Sequence, residues 1–445
     1  KPFSNLTVNV GLRYDVQTMP ELKGNPDLPD TSRMNVDKNN FGPRVGLSWD
    51  PFKSQKTVIR AGAGMYYGRT QNSTISSLIT SNGYRFKSYS FIPSTAGSPV
   101  FPNVLAEIPS GAAGRPDALF ASSDFANPLI YQMELSVEQE VFRNFTLTGV
   151  YMASRGQRLP VFRDTNLYPA TKSAIYTVCA DPQVGSSTSC SNVARYFAVP
   201  FFSGARPNTS YGYLSAAESV INSWYNGFVL QAKQRFSHGI QLQASLTVAK
   251  AQDNGQSLVT FSSSNQPSNP FDLRKDYALS DLDQRKRFTM SAIWEPPFAK
   301  IGSKPIRSIF NGFQFSGIVM LADGKPYSGG TSGNPSPAGI QGGLLGVGGS
   351  SRAPFVGRNT FTYPGAATVD LRVAREIKFS ERLRWQLIAE GFNVFNRINV
   401  TGINATQYNV RSSVLFPRTD FQSISATGTN LMRERQLQFG TRFTF

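Results

Sequence analysis

Histidine, cysteine, negative charge and long apolar runs are all scarce in this 445-residue sequence, and each scarcity closes off a class of protein. The one histidine, His238, sits between Ser237 and Gly239 in a tight-turn context, so neither a histidine-based triad nor a multi-histidine metal site can be assembled within the chain. Two cysteines, Cys179 and Cys190, are too few for a disulfide scaffold. Their closeness in a polar segment suits a small disulfide-closed loop in an oxidising compartment better than two free thiols. No stretch reaches the roughly 18 uninterrupted apolar residues that a membrane-crossing helix needs. Charged residues make up 16% of the chain, with 28 acidic against 45 basic side chains and a net charge of +17. That balance would suit nucleic acid, but the cations are spread among strand ends and loops, with no basic helix or aromatic-basic stripe to follow a phosphate backbone. Their expected partners are the chain's own carboxylates and an anionic lipopolysaccharide surface.

Catalytic and cofactor signals are equally thin. Gly342-Gly343 and Gly348-Gly349 lack the Lys-Ser/Thr and following helix of a phosphate cradle, and read as flexible loop. Asp281 and Asp283 could serve a Ca²⁺ ion or acid-base chemistry, but Asp- and Asn-rich loops are ordinarily solvated turns. No enzyme, cofactor or resident metal is expected.

What the sequence does have is period-two alternation from end to end. In the last ten residues Leu437, Phe439, Thr441, Phe443 and Phe445 point one way, while Gln436, Gln438, Gly440, Arg442 and Thr444 point the other. One oily face, one polar face and a terminal Phe, with Phe443 and Phe445 as the assembly-relevant ending, is how outer-membrane strands finish. The same alternation marks strands near residues 6–14, 41–52, 57–69, 129–141, 145–151, 224–236, 240–248, 288–294, 313–321, 367–379 and 385–395. The last of these is the weakest, because its alternation slips after Gly391, as at a bulge. Short links at Lys53-Ser54-Gln55, Arg143-Asn144 and Ser237-His238-Gly239 alternate with long polar connections, and Pro296-Pro297 closes one ladder. The fold class that follows is all-β: a transmembrane antiparallel barrel with about twelve strands visible, forming one unit over residues 1–445 in a bacterial outer membrane. Residues 328–351, rich in Gly, Ser and Pro, are expected to be unable to bury a core. Lys1-Pro2-Phe3 leads almost directly into a strand, as in a processed or partial chain.

Side chains on these strands fall into three groups. Trp49, Trp294 and Trp385 near short-turn ends, with Trp224 and Tyr67 near long-loop ends, sit where headgroups would meet amphipathic rings. Glu134, Glu138, Glu140, Lys233, Arg235, Asp370, Arg372, Glu376 and Arg384 occupy polar strand faces, as a charged lumen wall or as mutual ion pairs. In the long loops Tyr84, Arg85, Phe86, Tyr196, Phe197, Phe201, Phe202 and Tyr211 are the candidates for meeting a ligand.

Residues 387–397, Leu-Ile-Ala-Glu-Gly-Phe-Asn-Val-Phe-Asn-Arg, preceded by Asp370-Leu371-Arg372-Val373 and followed by the Phe445 ending, resemble the last strands of TonB-dependent outer-membrane receptors, particularly the Oar-like branch. Residues 40–50 and 60–67 resemble that branch too, and the likeness covers most of the chain. The resemblance implies a 22-stranded barrel of which this is the C-terminal portion, uptake of a scarce solute such as a siderophore, glycan or peptide, and no catalysis. It also implies a plug, an N-terminal regulatory-like domain and a segment contacting the TonB complex, none of which is visible here, and insertion by the barrel-assembly machinery. A self-contained passive porin or translocator, and a surface adhesion barrel with binding loops, are the rival readings.

Overall fold

The computed structural model describes residues 3–89, 102, 115–255, 267–296, 311–335, 343–347, 352–429 and 432–445. Twelve strands make the antiparallel path of one fifteen-stranded sheet, each paired with the strands before and after it along that path, while the short strand Pro116–Ala121 joins it in parallel. They are β1 (Leu6–Asp15), β2 (Asn40–Trp49), β3 (Thr57–Tyr67), β4 (Leu129–Phe142), β5 (Phe145–Asp164) and β6 (Leu214–Ser237). Then come β7 (Ile240–Asp253), β8 (Lys286–Trp294), β9 (Phe313–Ala322), β10 (Ala366–Lys378), β11 (Arg384–Phe392) and β12 (Gln436–Thr444). Among the described residues β1 and β12 do not pair with each other, so both remain edges. No helix of the described residues is long and apolar enough to cross a membrane, a statement that does not touch strands.

Register explains why alternation in sequence becomes a two-faced wall. Val10 stands opposite Val45, Val45 opposite Ala63, Ala63 opposite Met133 and Met133 opposite Ala153. Tyr151 faces Phe228, Leu230 faces Leu246, Leu246 faces Phe288 and Phe288 faces Leu321. Val319 lies opposite Val369, Val373 opposite Ala389 and Ala389 opposite Phe439. A slip of one residue in any pair would turn that strand's apolar row inward, so the uninterrupted match fixes every register at once.

Tight turns close one end of the sheet. At the β6–β7 turn His238 and Gly239 both take positive φ, 53° and 78°, and a Cβ on Gly239 would come within 2.3 Å of the Glu295 carbonyl oxygen. His238 is thus a turn residue, its Nδ1 within 2.8 Å of Ser237 Oγ. Asn144 and Lys53 supply the same left-handed geometry in the β4–β5 and β2–β3 turns. Of the β8–β9 connection, residues 297–310, including Pro297, lie outside the described residues.

The other end carries the long connections, and there the fold departs from the sequence pattern. β5 and β6 run for 20 and 24 residues, well beyond the roughly 9–11 that cross a bilayer. Alternation hides their outer halves because register shifts between Ser219 and Ile221 and between Ile221 and Ser223, while Arg158 adopts a positive φ of 56°. β11 ends at Phe392, so the slip after Gly391 is a strand end followed by turn residues Asn393 and Asn396, both at positive φ, and not a bulge.

Above the wall the loops fold into a cap with cores of its own. A five-stranded sheet joins Gly330–Pro335, Thr406–Ser412, Val414–Pro417, Lys172–Cys179 and Val193–Phe201, strands drawn from three different connections. Ala174, Tyr176, Val199, Phe201, Leu344, Val410 and Leu415 pack beneath it. A second core collects Leu78 of the helix Asn72–Thr80, Leu119, Ala121 and Phe125 of the same β3–β4 connection, and Phe162 and Ala217 of β5 and β6. The expectation that residues 328–351 bury nothing is therefore corrected. Leu344 and Val347 are buried, and Tyr176 donates its hydroxyl hydrogen to the Leu344 carbonyl at 2.8 Å. Two apolar side chains suffice to anchor a glycine-rich segment onto a preformed core. Gly342, Gly348 and Gly349 lie outside the described residues.

Candidate functional site

The polar face of the wall brings charges of both signs together. Arg60 of β3 donates to Glu138 of β4 at 2.8 Å, Arg372 of β10 lies 3.5 Å from Glu390 of β11, and Lys378 lies 3.5 Å from Glu376. Glu140 accepts from the Asn144 amide and Asp370 from the Asn393 amide, so these two carboxylates hold turns. Glu134, Lys233, Arg235 and Arg384 occupy the same face by register and have no oppositely charged partner within 4 Å among the described residues. Arg60, Glu390 and Arg44, whose guanidinium lies 4.2 Å from the Tyr66 ring centroid, complete the face. Strand parity alone would have placed all three there.

Two hollows open on this face. One, of ≈ 700 Å³, is lined by Asn9, Arg44, Arg60, Gln132, Glu134 and Tyr225. Another, of ≈ 370 Å³, lies farther round the sheet against Gln243, Ser291, Ser316, Asp370, Arg372 and Glu390. In both, amides, hydroxyls and charged groups stand beside apolar side chains, Met133 and Met152 in the first and Ile293 and Ile318 in the second, an arrangement that offers many weak contacts. No cluster of three potential metal ligands occurs among the described residues. Asp281 accepts from Asn359 at 2.6 Å, and Asp283 from the Ala251 amide and from Arg285, so both carboxylates are engaged within the fold.

On the opposite face the aromatics form rims. Trp49, Trp294 and Trp385 stand at the short-turn end, where Trp294 approaches Phe315 at 5.5 Å and Trp385 stacks on Phe443 at 5.6 Å. Phe445 follows as the last, almost wholly exposed, side chain. Tyr67 and Trp224 stand on the same face toward the long loops, and Trp224 meets Tyr277 edge-on at 5.3 Å.

Of the loop aromatics, Tyr84, Arg85, Phe86 and Tyr196 are exposed on the cap, while Phe197 packs edge-on against Phe355 at 5.0 Å. Phe201, Phe202 and Tyr211 are corrections: all three are buried core, with Phe202 stacked on Phe271 and the Tyr211 hydroxyl accepting from Asn25 at 2.9 Å. An aromatic ring in a long loop gains more by burial in the cap than by waiting in water for a ligand. Cys179 and Cys190 are joined, their Cα atoms 5.6 Å apart, at the end of the hairpin formed by residues 172–201.

Sequence reading missed the ionic knots of the cap. Asp164, wholly buried at the end of β5, accepts from Arg206 at 2.7 Å and from the Asn166 and Leu214 amides. Burial pushes the Asp164 carboxyl above its ordinary range against the downward pull of Arg206. Arg352 reaches Asp276 at 2.8 Å, tying the β9–β10 connection to the β7–β8 connection. At the end of β11 the buried Asn393 donates to the carbonyls of Arg397 and Arg433, and Asn396 accepts from the Arg435 amide at 3.1 Å. The Phe-Asn-Val-Phe-Asn run is thus a corner clamp, its asparagines supplying both left-handed turns and side-chain hydrogen bonds.

Comparison with known proteins agrees with this geometry. Residues 1–438 match the family model described as outer membrane beta barrel domain. The fold is similar to the outer membrane transporter YddB from Escherichia coli, at 11% identity and a TM-score of 0.51, over 99% of this chain and 43% of that one. The FrpB iron transporter from Neisseria meningitidis aligns at 10% identity and 0.47, over 99% and 43%. Pseudomonas aeruginosa FpvA, in an iron complex with a heterologous pyoverdine, aligns at 11% and 0.47, over 100% and 37%. This chain therefore spans less than half the length of these solved structures. No curated protein matches its sequence.

Proposed function

The chain belongs to the outer membrane beta-barrel domain family, and on that footing we propose that it forms the wall and outer cap of a TonB-dependent transporter taking up a scarce solute. A siderophore, a glycan or a peptide are the classes proposed. The barrel lies in the bacterial outer membrane. The observation that carries the proposal is the pairing of one acid-free apolar face with a charged, hollowed face beneath a knitted cap, an arrangement that separates lipid from a wet path. The two edges, β1 and β12, support completion of the barrel by further strands, since an unpaired ladder facing lipid costs several kcal/mol per group. In this reading some twenty-two strands close the wall, residues 1–445 being its C-terminal portion, and a plug packs against Arg60, Glu134 and Glu138. The TonB complex is engaged through a region outside these residues, and assembly uses the terminal Phe443 and Phe445. The sequences at 40–50, 60–67 and 387–397 favour the Oar-like branch.

The test follows solute uptake by the full-length protein in otherwise identical cells with and without the energy-coupling protein. Uptake that requires coupling is expected; undiminished uptake would overturn active transport in favour of a passive pore. Loss of cell-surface adhesion on removal of residues 180–189, with uptake intact, would favour a binding anchor instead.

A further inference from the structure

The smaller hollow of the polar face, ≈ 370 Å³, crosses β7 to β11, away from Arg60, Glu134 and Glu138 on β3 and β4. Two rows of the ladder build it. One runs Gln241, Ile293, Ser316, Arg372 and Glu390, each opposite the next. The other, two residues along each strand, runs Gln243, Ser291, Ile318 and Asp370. With strands about 4.8 Å apart and residues about 3.3 Å apart, the rows form a strip about 19 Å long whose two lines of side chains stand about 7 Å from each other.

The strip is chemically mixed in a regular way. Ile293 and Ile318, the latter 57% exposed, give it an apolar floor, and Phe392 lines its β11 end. Gln241, Gln243, Ser291 and Ser316 have no side-chain hydrogen-bond partner among the described residues. Arg372 Nε lies 3.5 Å from Glu390 Oε1 but makes no hydrogen bond, and Asp370 gives one carboxylate oxygen to the Asn393 amide. Two carboxylates against one guanidinium leave the strip with an excess of negative charge, so a multiply anionic ligand is repelled.

Each glutamine amide and each serine hydroxyl both donates and accepts. A ligand that satisfies four such groups in water must alternate donors and acceptors around its edge, and the floor asks it for an apolar side as well. We propose that this hollow is a binding site for a neutral carbohydrate. A pyranose ring lays its C–H side on Ile293 and Ile318, its hydroxyls meet Gln241, Gln243, Ser291 and Ser316, and Arg372 and Glu390 take a further hydroxyl between them. The volume equals the liquid share of about twelve waters, room for about one to two sugar rings. The site rests on the reading of this face as a wet path and selects the glycan class for the solute.

The experiment observes the full-length protein in neutral detergent by saturation-transfer nuclear magnetic resonance, titrated with maltotriose, cellotriose, mannotriose, galactotriose and xylotriose, with the uronic-acid counterpart of each, and with trialanine. At least one neutral trisaccharide is expected to bind. Gln241→Ala and Gln243→Ala should each weaken that binding about fivefold, and together about twentyfold. Gln231→Ala and Thr148→Ala, opposite each other on the same face of β6 and β5, should leave it unaltered. The uronate of the bound sugar should bind about fivefold more weakly than the neutral form, and Glu390→Gln, which removes the excess charge, should close that gap, a change of preference that loss of structure would not produce. Binding of none of the neutral sugars, indifference to the glutamine changes, equal loss from the β5 and β6 changes, or tighter binding of trialanine or a uronate would each overturn the site. Coupling-dependent uptake with no sugar bound would remove this site and leave active transport standing, whereas sugar binding with uptake indifferent to coupling would do the reverse. Should the double variant fail to insert, the single variants carry the same test.

Discussion

In the wall, the large apolar side chains are on the outside: Val10 and Phe439 are each 81% exposed, and Leu437 is 69% exposed. In the cap, built by the same chain a few residues farther along, Phe162 is 1% exposed and Leu415 is fully buried. The two regions answer to different solvents. The wall satisfies its backbone through the ladder and leaves its oily face for hydrocarbon, whereas the cap must make an aqueous protein core from loop segments and cross-loop strands. Charge follows the same division. Wall carboxylates lie on the wet face in partly exposed pairs such as Arg60–Glu138, while the cap locks Asp164 and Asp276 behind buried arginines.

The sharpest way to break this contrast is to damage the cap's interior. Phe162→Ala should cost the cap about 3–5 kcal/mol, and Arg206→Met, which strands the buried Asp164 carboxylate, a similar amount. Limited proteolysis should then cut the loops while the wall keeps its resistance to detergent unfolding; equal loss of both would show one cooperative unit. The reciprocal test is Leu246→Arg, which puts a charge between Leu230 and Phe288 on the lipid face and should destabilise the wall by about 2–4 kcal/mol in bilayer refolding titrations. Gln243→Arg, one face over, should be nearly silent.

Smaller effects sharpen the comparison. Cys179→Ser opens a short loop and should lower the stability of the hairpin of residues 172–201 by about 2–3 kcal/mol, read as faster hydrogen exchange there alone. Burial pushes both Tyr176 and Tyr213 up to about 12 from an ordinary value near 10. Their contribution is complete below pH 10 and is lost as pH rises toward about 12. Near-ultraviolet circular dichroism of the cap should fade across that window while the far-ultraviolet strand signal persists.

The wall was legible in the sequence because a strand between lipid and water must alternate, and all twelve segments from β1 to β12 did so. Outside β5 and β6 the boundaries drifted by only a few residues, as at 393–395, where alternation had already slipped after Gly391 and the strand ends at Phe392. The cap was not legible, since its cores are assembled from Leu78, Phe162, Leu344 and Leu415, single side chains contributed by segments without any period. Bulges near Ser219 and Arg158 masked the outer halves of β5 and β6 for the same reason. Aromatic identity misled as well: Phe201 and Tyr196 stand on one strand five residues apart, yet only the packing says that one is core and the other surface. Parity did recover which wall charges share a face, but not that Asp370 and Glu140 spend their oxygens on turns.

The five-stranded cap sheet, stitched from three separate connections, has a consequence for how such proteins diversify. A recombination that imported one foreign loop would deliver half of a ladder and a fraction of a core, leaving the remaining strands without edges to match. The exchangeable unit is the set of three connections that share the sheet, so these loop surfaces should be inherited as a block, and chimeras should succeed only when the donor contributes every loop that shares the sheet.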